Sequence, residues 1–466
     1  MSMRIHLIGV CGTAMATLAA LLKQQGHEVS GSDQHVYPPM SNFLVREGIA
    51  LLEGYRSEHV SGALDLVVVG NAISRGNPEL EAVLDRRLRY CSLPEAVRDC
   101  FLWTRRSIVL AGTHGKTTTT SLTAWLLIDA GAGPTVLVGG IARNLGPEGA
   151  SYRVGAGDLF VIEGDEYDSA YFDKTAKFLK YLPHVAVIGN IEFDHADIYA
   201  DMDAVRLAFR RLVQLVPRTG LTLLGADSPE ALALGPRALS RVETFGLSAD
   251  ADWCATDLEP GAGTTSFTLV HQGQDLGRFH LPLTGAHNVR NALAAIAASA
   301  FVGITPGQMQ RSLPGFLGVK RRLEEVGQRR GITVFDDFAH HPTAVDETLK
   351  AVRAAWPARR IWAIFEPRSA SSCRRVFQEA FAQAFSGADE VVIASVFRSS
   401  LPDDDRLSEA DLVRDLRQAG VSARHLPDVP SIVDVVAREA QPGDLVVVMS
   451  NGGFGGIHGQ LLQALG

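Results

Sequence analysis

The sequence lacks the marks of several protein classes. No run of apolar residues approaches the ~20 that span a bilayer, and no low-complexity segment or block of like charges occurs. The cysteines, at positions 11, 91, 100, 254 and 373, are odd in number and form no C-x-x-C pair. Neither a disulfide framework nor a structural zinc site is therefore indicated, and a reducing, cytoplasmic compartment is expected.

An excess of basic residues is also missing. Lysine and arginine number 44 against 52 acidic residues, which gives a net charge of -8. Such a balance does not favour a chain whose main task is to neutralise nucleic-acid phosphates or an anionic membrane surface. We therefore expect no nucleic-acid partner and no membrane insertion, and the composition indicates no particular oligomeric state.

What the sequence does contain is a series of short aliphatic runs that alternate with helix-length segments. The expected strands are 5–8, 29–33, 66–69, 108–110, 159–162, 185–188, 332–335, 361–365, 391–394 and 445–449. This rhythm is typical of parallel sheets covered by helices, which ligands bind at the carboxyl ends of the strands. Polar linkers near residues 105–106 and 315–318 divide the 466 residues into three expected domains, 1–107, 108–317 and 318–466.

One region breaks this rhythm. Residues 252–283 alternate polar and apolar side chains and are interrupted by Pro-Gly-Ala-Gly and Gln-Gly-Gln. Alternation with such turns predicts antiparallel hairpins, so we expect a small antiparallel sheet attached to the middle domain.

A glycine loop indicates a phosphate site. The strand 107–111 runs into Gly112-Thr113-His114-Gly115-Lys116-Thr117-Thr118-Thr119, and a helical segment follows. Glycines let backbone N–H groups surround a phosphate, a lysine supplies charge for the β- and γ-phosphates, and the following hydroxyl can bind Mg²⁺. The loop is shorter than the usual P-loop because Leu110 stands where the first glycine would. A tight turn without a ligand is the alternative, but it would not require the lysine or the run of threonines.

Acidic and histidine side chains follow the next strands. The segment after strand 159–162 is Glu163-Gly164-Asp165-Glu166-Tyr167-Asp168, and the one after 185–188 contains Asn190-Ile191-Glu192-Phe193-Asp194-His195. If the strands are parallel, both segments lie near the phosphate loop. Glu163 suits Mg²⁺, and a histidine at the same edge could complete a second metal position. Either segment alone is more typical of a solvated acidic loop than of a metal site, and the order of the two segments after the phosphate loop is what favours a site.

The N-terminus resembles a second nucleotide turn. Strand 5–8 is followed by Gly9, Cys11, Gly12 and Ala14, of which Gly9 alone fits G-x-G-x-x-G. A strand-to-helix turn without a ligand remains the alternative at this point.

Four motifs together resemble the Mur ligase family, the ATP-dependent amide ligases of bacterial cell-wall synthesis. They are GTHGKTT at 112–118, NIEFDH at 190–195, GAHNVRNA at 285–292, and RRLE at 321–324 with DDFAHHP at 336–342. The resemblance covers essentially the whole chain. It implies an α/β protein of three domains: a Rossmann-like UDP-sugar-binding domain (1–107), a central ATP-binding ligase domain with a P-loop ATPase-type parallel sheet and a small antiparallel sheet (108–317), and a Rossmann-like C-terminal peptide-binding domain (318–466).

Further segments are similar to family members that join UDP-N-acetylmuramate to the tripeptide L-alanyl-γ-D-glutamyl-meso-diaminopimelate in peptidoglycan recycling. They are YPPMS at 37–41, GNAISRGNP at 70–78, EYDSAYFDK at 166–174, EPRS at 366–369 and SNGGFGGIH at 450–458. This likeness implies that the muramate carboxylate takes the γ-phosphoryl group of ATP and that the tripeptide amine attacks the acyl phosphate. Ligation of free L-alanine is the alternative within the family.

The resemblance also implies roles for individual residues. Lys116 would contact the β- and γ-phosphates, Thr117 and Glu163 would hold one Mg²⁺, and His195 a second. The other implied ATP ligands are Gly112, Thr113, His114, Gly115 and Thr118 of the loop, Asn288 and Asn291 for adenine, Arg322 for the γ-phosphate and Asp337 for ribose, with His341 near the nucleotide and the incoming amine. The implied UDP-sugar ligands are Gly9, Gly12, Thr13, Met15, Asp33 and Asn71, and the implied tripeptide ligands are Arg368 and Asn451.

One departure from the family pattern concerns the second metal. Many members bridge the metals with a carbamylated lysine downstream of the histidine, but no lysine lies between Lys180 and Lys320. Either the acidic cluster Asp165, Glu166 and Asp168 substitutes for it, or the second metal is held more loosely.

Two functions outside the family are alternatives, an oxidoreductase and a P-loop switch. An oxidoreductase would be expected to carry the full G-x-G-x-x-G fingerprint, which the first domain lacks. A P-loop switch without bond formation would require neither the helix that follows Gly285 nor an arginine from a third domain.

Overall fold

The computed structural model describes residues 2–36, 40–196, 198–397 and 401–466. Residues 37–39, at the start of one of the motifs noted above, lie outside this range. The chain forms two compact units. The first comprises residues 1–192, 202–254 and 293–312, and the second comprises residues 193–201, 255–292 and 313–466.

The N-terminal sheet is parallel, with the strand order β3-β2-β1-β4-β5 in the described residues. Its strands are β1 (Arg4–Ile8), β2 (Glu28–Asp33), β3 (Ala50–Glu53), β4 (Leu66–Val69) and β5 (Tyr90–Ser92). Its helices are α1 (Thr13–Gln24), α2 (Met40–Arg46), α3 (Pro78–Asp85) and α4 (Leu93–Val97). Strands β1 and β4 are almost wholly buried, because helices cover both faces of the sheet.

The central part of the chain forms a mixed sheet. Its strands are β6 (Arg106–Ala111), β7 (Thr135–Ala142), β8 (Ala150–Arg153), β9 (Leu159–Gly164), β12 (Pro183–Ile188), β13 (Leu221–Gly225), β14 (Arg241–Gly246), β15 (Trp253–Gly261), β16 (Thr264–His271) and β17 (Gln274–Leu281). Strands β10 (Asp168–Ala170) and β11 (Asp173–Ala176) pair with each other as a separate two-stranded antiparallel sheet. Its helices are α5 (Lys116–Asp129), α6 (Met202–Gln214), α7 (Pro229–Leu232), α8 (Ala286–Phe301) and α9 (Pro306–Ser312). In the first unit, β6 lies between β12 and β9 and pairs with both in parallel.

Helix α5 forms although four threonines, which are poor helix formers, follow its first residue, Lys116. The hydroxyls of Thr119, Thr120, Ser121 and Thr123 each donate a hydrogen bond of 2.7–2.9 Å to the carbonyl four residues earlier. These bonds satisfy polar groups that the surrounding sheet buries.

The C-terminal sheet has the order β18-β19-β23-β20-β21-β22 in the described residues, with β18 antiparallel and the other pairs parallel. Its strands are β18 (Glu324–Arg329), β19 (Ile332–Asp337), β20 (Ile361–Phe365), β21 (Glu390–Ala394), β22 (Ser422–Leu426) and β23 (Leu445–Met449). Its helices are α10 (Pro342–Ala355), α11 (Gln378–Ala384), α12 (Glu409–Gln418), α13 (Val429–Glu439) and α14 (Ile457–Ala464). Trp362 of β20 is fully buried and donates its indole N–H to Asp444 over 2.9 Å.

The fold class expected from the sequence is confirmed, because each expected strand is present within the three α/β sheets. Antiparallel pairing of β16 with β17 confirms the hairpin expected in residues 252–283. Strand β15 begins as a parallel partner of β14 and continues beside β16. The domain boundaries at 107 and 317 stay predictions. No helix in the described ranges is long and apolar enough to cross a membrane.

Candidate active site

The phosphate loop joins β6 to α5 through backbone conformations that suit glycine. Gly115 has φ +81° and Gly112 has φ +129°. A Cβ on Gly112 would lie 3.0 Å from the carbonyl oxygen of Asn190, which follows the neighbouring strand β12. The loop therefore needs glycine at residue 112 for close backbone approach as well as for its dihedral angle.

Asn190 and Glu192 hold the loop in place. The Asn190 side chain accepts a hydrogen bond from the His114 N–H over 2.8 Å and donates one to the His114 carbonyl over 3.3 Å. The Thr113 hydroxyl accepts from the Glu192 N–H over 2.8 Å, and His114 Nε2 lies 3.3 Å from a Glu192 carboxylate oxygen. The sequence segment that begins at residue 190 thus braces the phosphate loop.

Lys116 lies at the start of α5 with its side chain folded over the loop. Its ammonium donates to the carbonyls of Gly112 (2.8 Å) and Thr113 (3.2 Å) and pairs with Glu166 at 2.8 Å. Burial alone would lower the pKa of Lys116, but Glu166 and then Asp165 outweigh it and leave the pKa raised. The lysine is therefore a fixed positive charge within the loop.

Thr117 and Glu163 meet as the parallel pairing of β6 and β9 predicts. The Thr117 hydroxyl donates to Glu163 Oε1 over 2.9 Å, and the Gly139 N–H donates to Oε2 over 2.7 Å. Withdrawal from water raises the pKa of Glu163, and the charge of Asp165 adds to the rise. A cation placed beside a carboxylate whose pKa is raised in this way would stabilise its ionised form.

The other acids of this cluster have lysine partners. Asp165 lies 3.5 Å from the ammonium of Lys177, and Asp168 lies 2.6 Å from that of Lys174. Glu166 is 4% exposed in its pair with Lys116. Of the three acids proposed to replace a carbamylated lysine, each is thus engaged with a lysine in this structure.

The N-terminal turn is held by Asp33 at the end of β2. The Asp33 carboxylate accepts from the Cys11 N–H over 2.8 Å, and the Gly9 N–H donates to the Ser32 carbonyl over 2.9 Å. Gly9 has φ +84°, and Gly12 is the residue before α1. Asp33 therefore fixes the glycine turn. The remaining residues implied at the UDP-sugar site are Thr13, which opens α1, Met15, which is buried, and Asn71, which is exposed after β4.

A buried network beneath this turn has no counterpart in the sequence prediction. Glu79 of α3 is fully buried and accepts hydrogen bonds from Ser32 (2.5 Å) and from the Arg56 N–H (3.2 Å). His59 and His6 lie 2.6 Å and 3.4 Å from its carboxylate oxygens. The four partners come from β1, β2 and the segment after β3, so no local pattern could have indicated the network.

In the second unit, the segment that carries His195 is bound by the C-terminal sheet's loops and helices. His341 Nε2 lies 3.2 Å from the Phe193 carbonyl, and the Phe193 ring stacks on that of Phe377 with centroids 6.3 Å apart. His195 itself has φ +53°. His195 and His341, both assigned to catalysis by the resemblance, thus belong to the same unit.

A cavity of about 440 Å³ lies in the second unit. It is lined by Asn288, Arg322, Phe335, Trp356 and Arg359, together with Ala262, Gly263, Pro282, Leu283, Thr284, Leu323, Glu325, Gln328 and Thr333. Asn288 and Arg322, to which the resemblance gives roles in binding one nucleotide, therefore line one cavity. Asn291 is not among the lining residues and instead donates to Asn288 Oδ1 over 3.2 Å.

The turn that presents Arg322 is held by Asp337. Arg321 and Leu323 both have positive φ, at +61° and +48°, which is uncommon outside glycine. Asp337 accepts from the N–H groups of Leu323 (2.6 Å) and Ala339 (2.7 Å). Asp337 is 6% exposed and therefore orders this turn, and the ribose contact that the resemblance implies for it stays a prediction.

Arg368 follows β20 at the carboxyl edge of the C-terminal sheet. Its guanidinium lies 3.7 Å from the centre of the Phe397 ring and 3.4 Å from Glu366. Asn451 follows β23, the strand beside β20, and its side-chain oxygen is buried without a hydrogen-bond partner among the described residues. The two residues assigned to the tripeptide therefore follow adjacent strands.

Comparison with known proteins relates all three sheets to one family. Residues 4–101 match the Mur ligase family catalytic domain, 110–299 the Mur ligase middle domain and 321–452 the Mur ligase glutamate ligase domain.

Individual relatives cover the whole chain. A UDP-N-acetylmuramate–L-alanyl-γ-D-glutamyl-meso-2,6-diaminoheptandioate ligase of Escherichia coli is 41% identical over 99% of this chain and 98% of its own. A UDP-N-acetylmuramate–L-alanine ligase of Desulfitobacterium hafniense is 36% identical over 97% and 98%. The crystal structure of a murein peptide ligase of Psychrobacter arcticus covers 100% of this chain and 99% of its own, with 36% identity and a TM-score of 0.73. The chain belongs to the Mur ligase family.

Proposed function

We propose that this protein is an ATP-dependent ligase that joins UDP-N-acetylmuramate to the tripeptide L-alanyl-γ-D-glutamyl-meso-diaminopimelate and so serves peptidoglycan recycling. The observation that carries the proposal is the end-to-end match, at 41% identity, to a ligase that is named for these two substrates. The geometry of the phosphate loop and of the cavity supports the same reaction.

Formation of an amide from a carboxylate requires activation. The lactyl carboxylate of the muramate attacks the γ-phosphorus of ATP, the bond from that phosphorus to the β,γ-bridging oxygen breaks, and ADP leaves. The uncharged α-amine of the tripeptide then attacks the acyl carbon, phosphate leaves, and the amine loses a proton. Positioning and charge neutralisation dominate phosphoryl transfer, and Lys116 supplies a charge that its acidic neighbours keep in place.

Magnesium fits the residues beside the loop. Glu163 and Thr117 provide oxygen ligands 2.9 Å apart, and burial raises the pKa of Glu163, so a cation bound beside it would stabilise the ionised carboxylate. Mg²⁺ prefers such oxygen ligands, and when bound it neutralises phosphate charge. Thr117 and Glu163 would hold one ion, and His195 is proposed for a second. Because Asp165, Glu166 and Asp168 are each paired with a lysine, the alternative in which the second ion is held more loosely is better supported.

The second unit contributes groups for the nucleotide. Asn288 and Arg322 face the 440 Å³ cavity, which has the size of a small-ligand site. Arg322 would contact the γ-phosphate and Asn288 the adenine, with Asn291 fixing the orientation of the Asn288 amide. Asp337 would act by holding the turn before Leu323, so that Arg322 keeps its direction.

Free L-alanine is the alternative acceptor, because L-alanine ligases of the family also match the chain. Phosphate release from ATP, measured with UDP-N-acetylmuramate and a panel of acceptors, separates the two. We expect kcat/KM for the tripeptide to exceed kcat/KM for L-alanine by at least tenfold. Preference for L-alanine would replace this proposal with the alternative, and ATP turnover independent of any amine would indicate a P-loop switch. The cytoplasmic location expected from the cysteine pattern stays a prediction.

A further inference from the structure

Two residues in the loop after β20, Arg368 and Ser371, make different contacts. Arg368 is the residue proposed for the tripeptide, and Ser371, three residues on, is 2% exposed and bonds to the His195 segment. The Ser371 hydroxyl donates to Asp194 Oδ1 over 2.5 Å and accepts from the His195 N–H over 3.0 Å. Both contacts lie within the second unit.

The backbone conformation of His195 requires stabilising contacts from neighbouring residues. Its φ of +53° is uncommon for a residue with a Cβ and costs free energy unless neighbouring groups fix it. The His195 N–H is shared between Ser371 Oγ and Asp194 Oδ1, the latter at 2.7 Å. Asp194 is 6% exposed, so the serine and aspartate form a closed, water-poor clasp around the backbone of His195.

Hydrogen bonds join several residues within the loop itself. Ser372 accepts from the N–H groups of Arg368 (3.0 Å) and Ser369 (2.9 Å), and its own hydroxyl lies 2.8 Å from that of Ser369. Residues 368 and 369 are thereby joined to residue 372, and Ser371 lies inside this turn, so a force that an acceptor exerts on Arg368 would also bear on Ser371.

We propose that Ser371 is a positioning residue that couples occupancy of the Arg368 site to the placement of His195. Binding of the acceptor would then raise the affinity for the ligands at the phosphoryl-transfer site, and those ligands would raise the affinity for the acceptor by the same factor. The inference rests on the proposed function for the identity of the acceptor, and it adds a residue that the sequence did not single out.

The chain offers a matched control. Ser371→Ala removes the contribution of the serine to the clasp on His195, whereas Ser372→Ala, at a residue that is 1% exposed, removes the bonds that shape the Arg368 end of the loop. Tripeptide affinity is measured by calorimetry on the full chain, alone and with UDP-N-acetylmuramate, Mg²⁺ and a non-hydrolysable ATP analogue. In the wild type, the added ligands should tighten tripeptide binding at least fivefold, within the usual range of coupling between sites.

In Ser371→Ala, tripeptide affinity without the other ligands should stay within twofold of wild type, and the tightening should vanish. In Ser372→Ala, affinity should fall in both conditions and the tightening should persist. Tightening that survives in Ser371→Ala, or that is absent from the wild type, overturns the inference. A wild type that binds no tripeptide in either condition overturns the proposed function and this inference with it. If Ser371→Ala does not fold, Ser371→Cys, which keeps the volume, takes its place with the same expected outcomes.

Discussion

Arg368 and Gly452 lie so close together that any side chain at residue 452 would have to displace the arginine. A Cβ built on Gly452 would overlap Nε, Cδ and Cζ of Arg368. The arginine is thus enclosed by Gly452, the Phe397 ring and Glu366, which fix the plane of its guanidinium. A guanidinium fixed in this way is ready for two-point contact with a carboxylate.

Gly452→Ala should therefore displace Arg368 and raise KM for the tripeptide about tenfold or more, a loss of ~1.4 kcal/mol. KM for UDP-N-acetylmuramate should stay nearly constant. Gly453→Ala is the matched control, since residue 453 has φ -78° and a Cβ there would meet no atom within 4 Å. Steady-state kinetics on both variants would check this, and equal effects of the two alanines would count against the enclosure.

Phe397→Ala should also weaken tripeptide binding, because it removes the ring against which the guanidinium lies at 3.7 Å. A cation–π contact at an exposed site is worth ~0.5–1 kcal/mol, so we expect KM for the tripeptide to rise about two- to fivefold. Arg368→Ala should raise it further, and the double variant should resemble Arg368→Ala alone. Additive effects in this double-mutant cycle would show that the ring does not act through the arginine.

The hydroxyl of Thr117 is expected to be essential and its methyl group dispensable. Thr117→Val keeps the shape but leaves Glu163 Oε1 without its 2.9 Å donor and removes a magnesium ligand. We expect kcat/KM for ATP to fall at least a hundredfold, or ~2.7 kcal/mol. Thr117→Ser, which retains the hydroxyl, should keep most of the activity. If valine and serine variants behave alike in phosphate release, the proposed magnesium role of Thr117 is wrong.

Glu79 should make a pH-dependent contribution to stability. Burial raises its pKa, but hydrogen bonds from His6, Ser32 and His59 outweigh burial, and the folded pKa lies below the ordinary 4.5. For an acid with a depressed pKa, the stabilisation is complete above 4.5 and is lost as pH falls through the folded value. Glu79→Gln should thus lower the free energy of unfolding at pH 7 by ~1–3 kcal/mol.

Urea unfolding of the wild type and of Glu79→Gln at several pH values between 7 and 3 would measure this difference. The gap between the two proteins should narrow below pH 4.5. A gap that stays constant down to pH 3 would show that the carboxylate charge of Glu79 does not stabilise the fold.

The sequence predicted many of the strands whose signal is local. Apolar runs such as 66–69 and 445–449 are buried on both faces and read clearly as strands. Strand β22 (Ser422–Leu426) was missed because its residues, Ser-Ala-Arg-His-Leu, show no apolar run, as an edge position allows. Strands β7 (Thr135–Ala142) and β13 (Leu221–Gly225) were missed although each contains a local apolar run.

The same distinction separates the parts of the site. The phosphate loop is contiguous, and the contact of Thr117 with Glu163 follows from adjacent parallel strands, so both could be foreseen. The clasp of Ser371 on Asp194 joins residues 177 positions apart, and that of Glu79 on His6 joins residues 73 apart. Periodicity and spacing within one sequence do not predict such long-range contacts. The backbone hydrogen bonds of Asp337 depend on a turn that no sequence pattern predicted.

The most direct test of the account follows the oxygen atoms of the muramate carboxylate. UDP-N-acetylmuramate labelled with ¹⁸O in its lactyl carboxylate is incubated with the protein, ATP, Mg²⁺ and the tripeptide, and the released phosphate is analysed by mass spectrometry. Activation through an acyl phosphate transfers one labelled oxygen to each phosphate. We expect this transfer in the wild type, together with formation of the UDP-muramoyl tripeptide. Phosphate that carries no label would contradict the central claim that this site activates the sugar-linked carboxylate by phosphorylation.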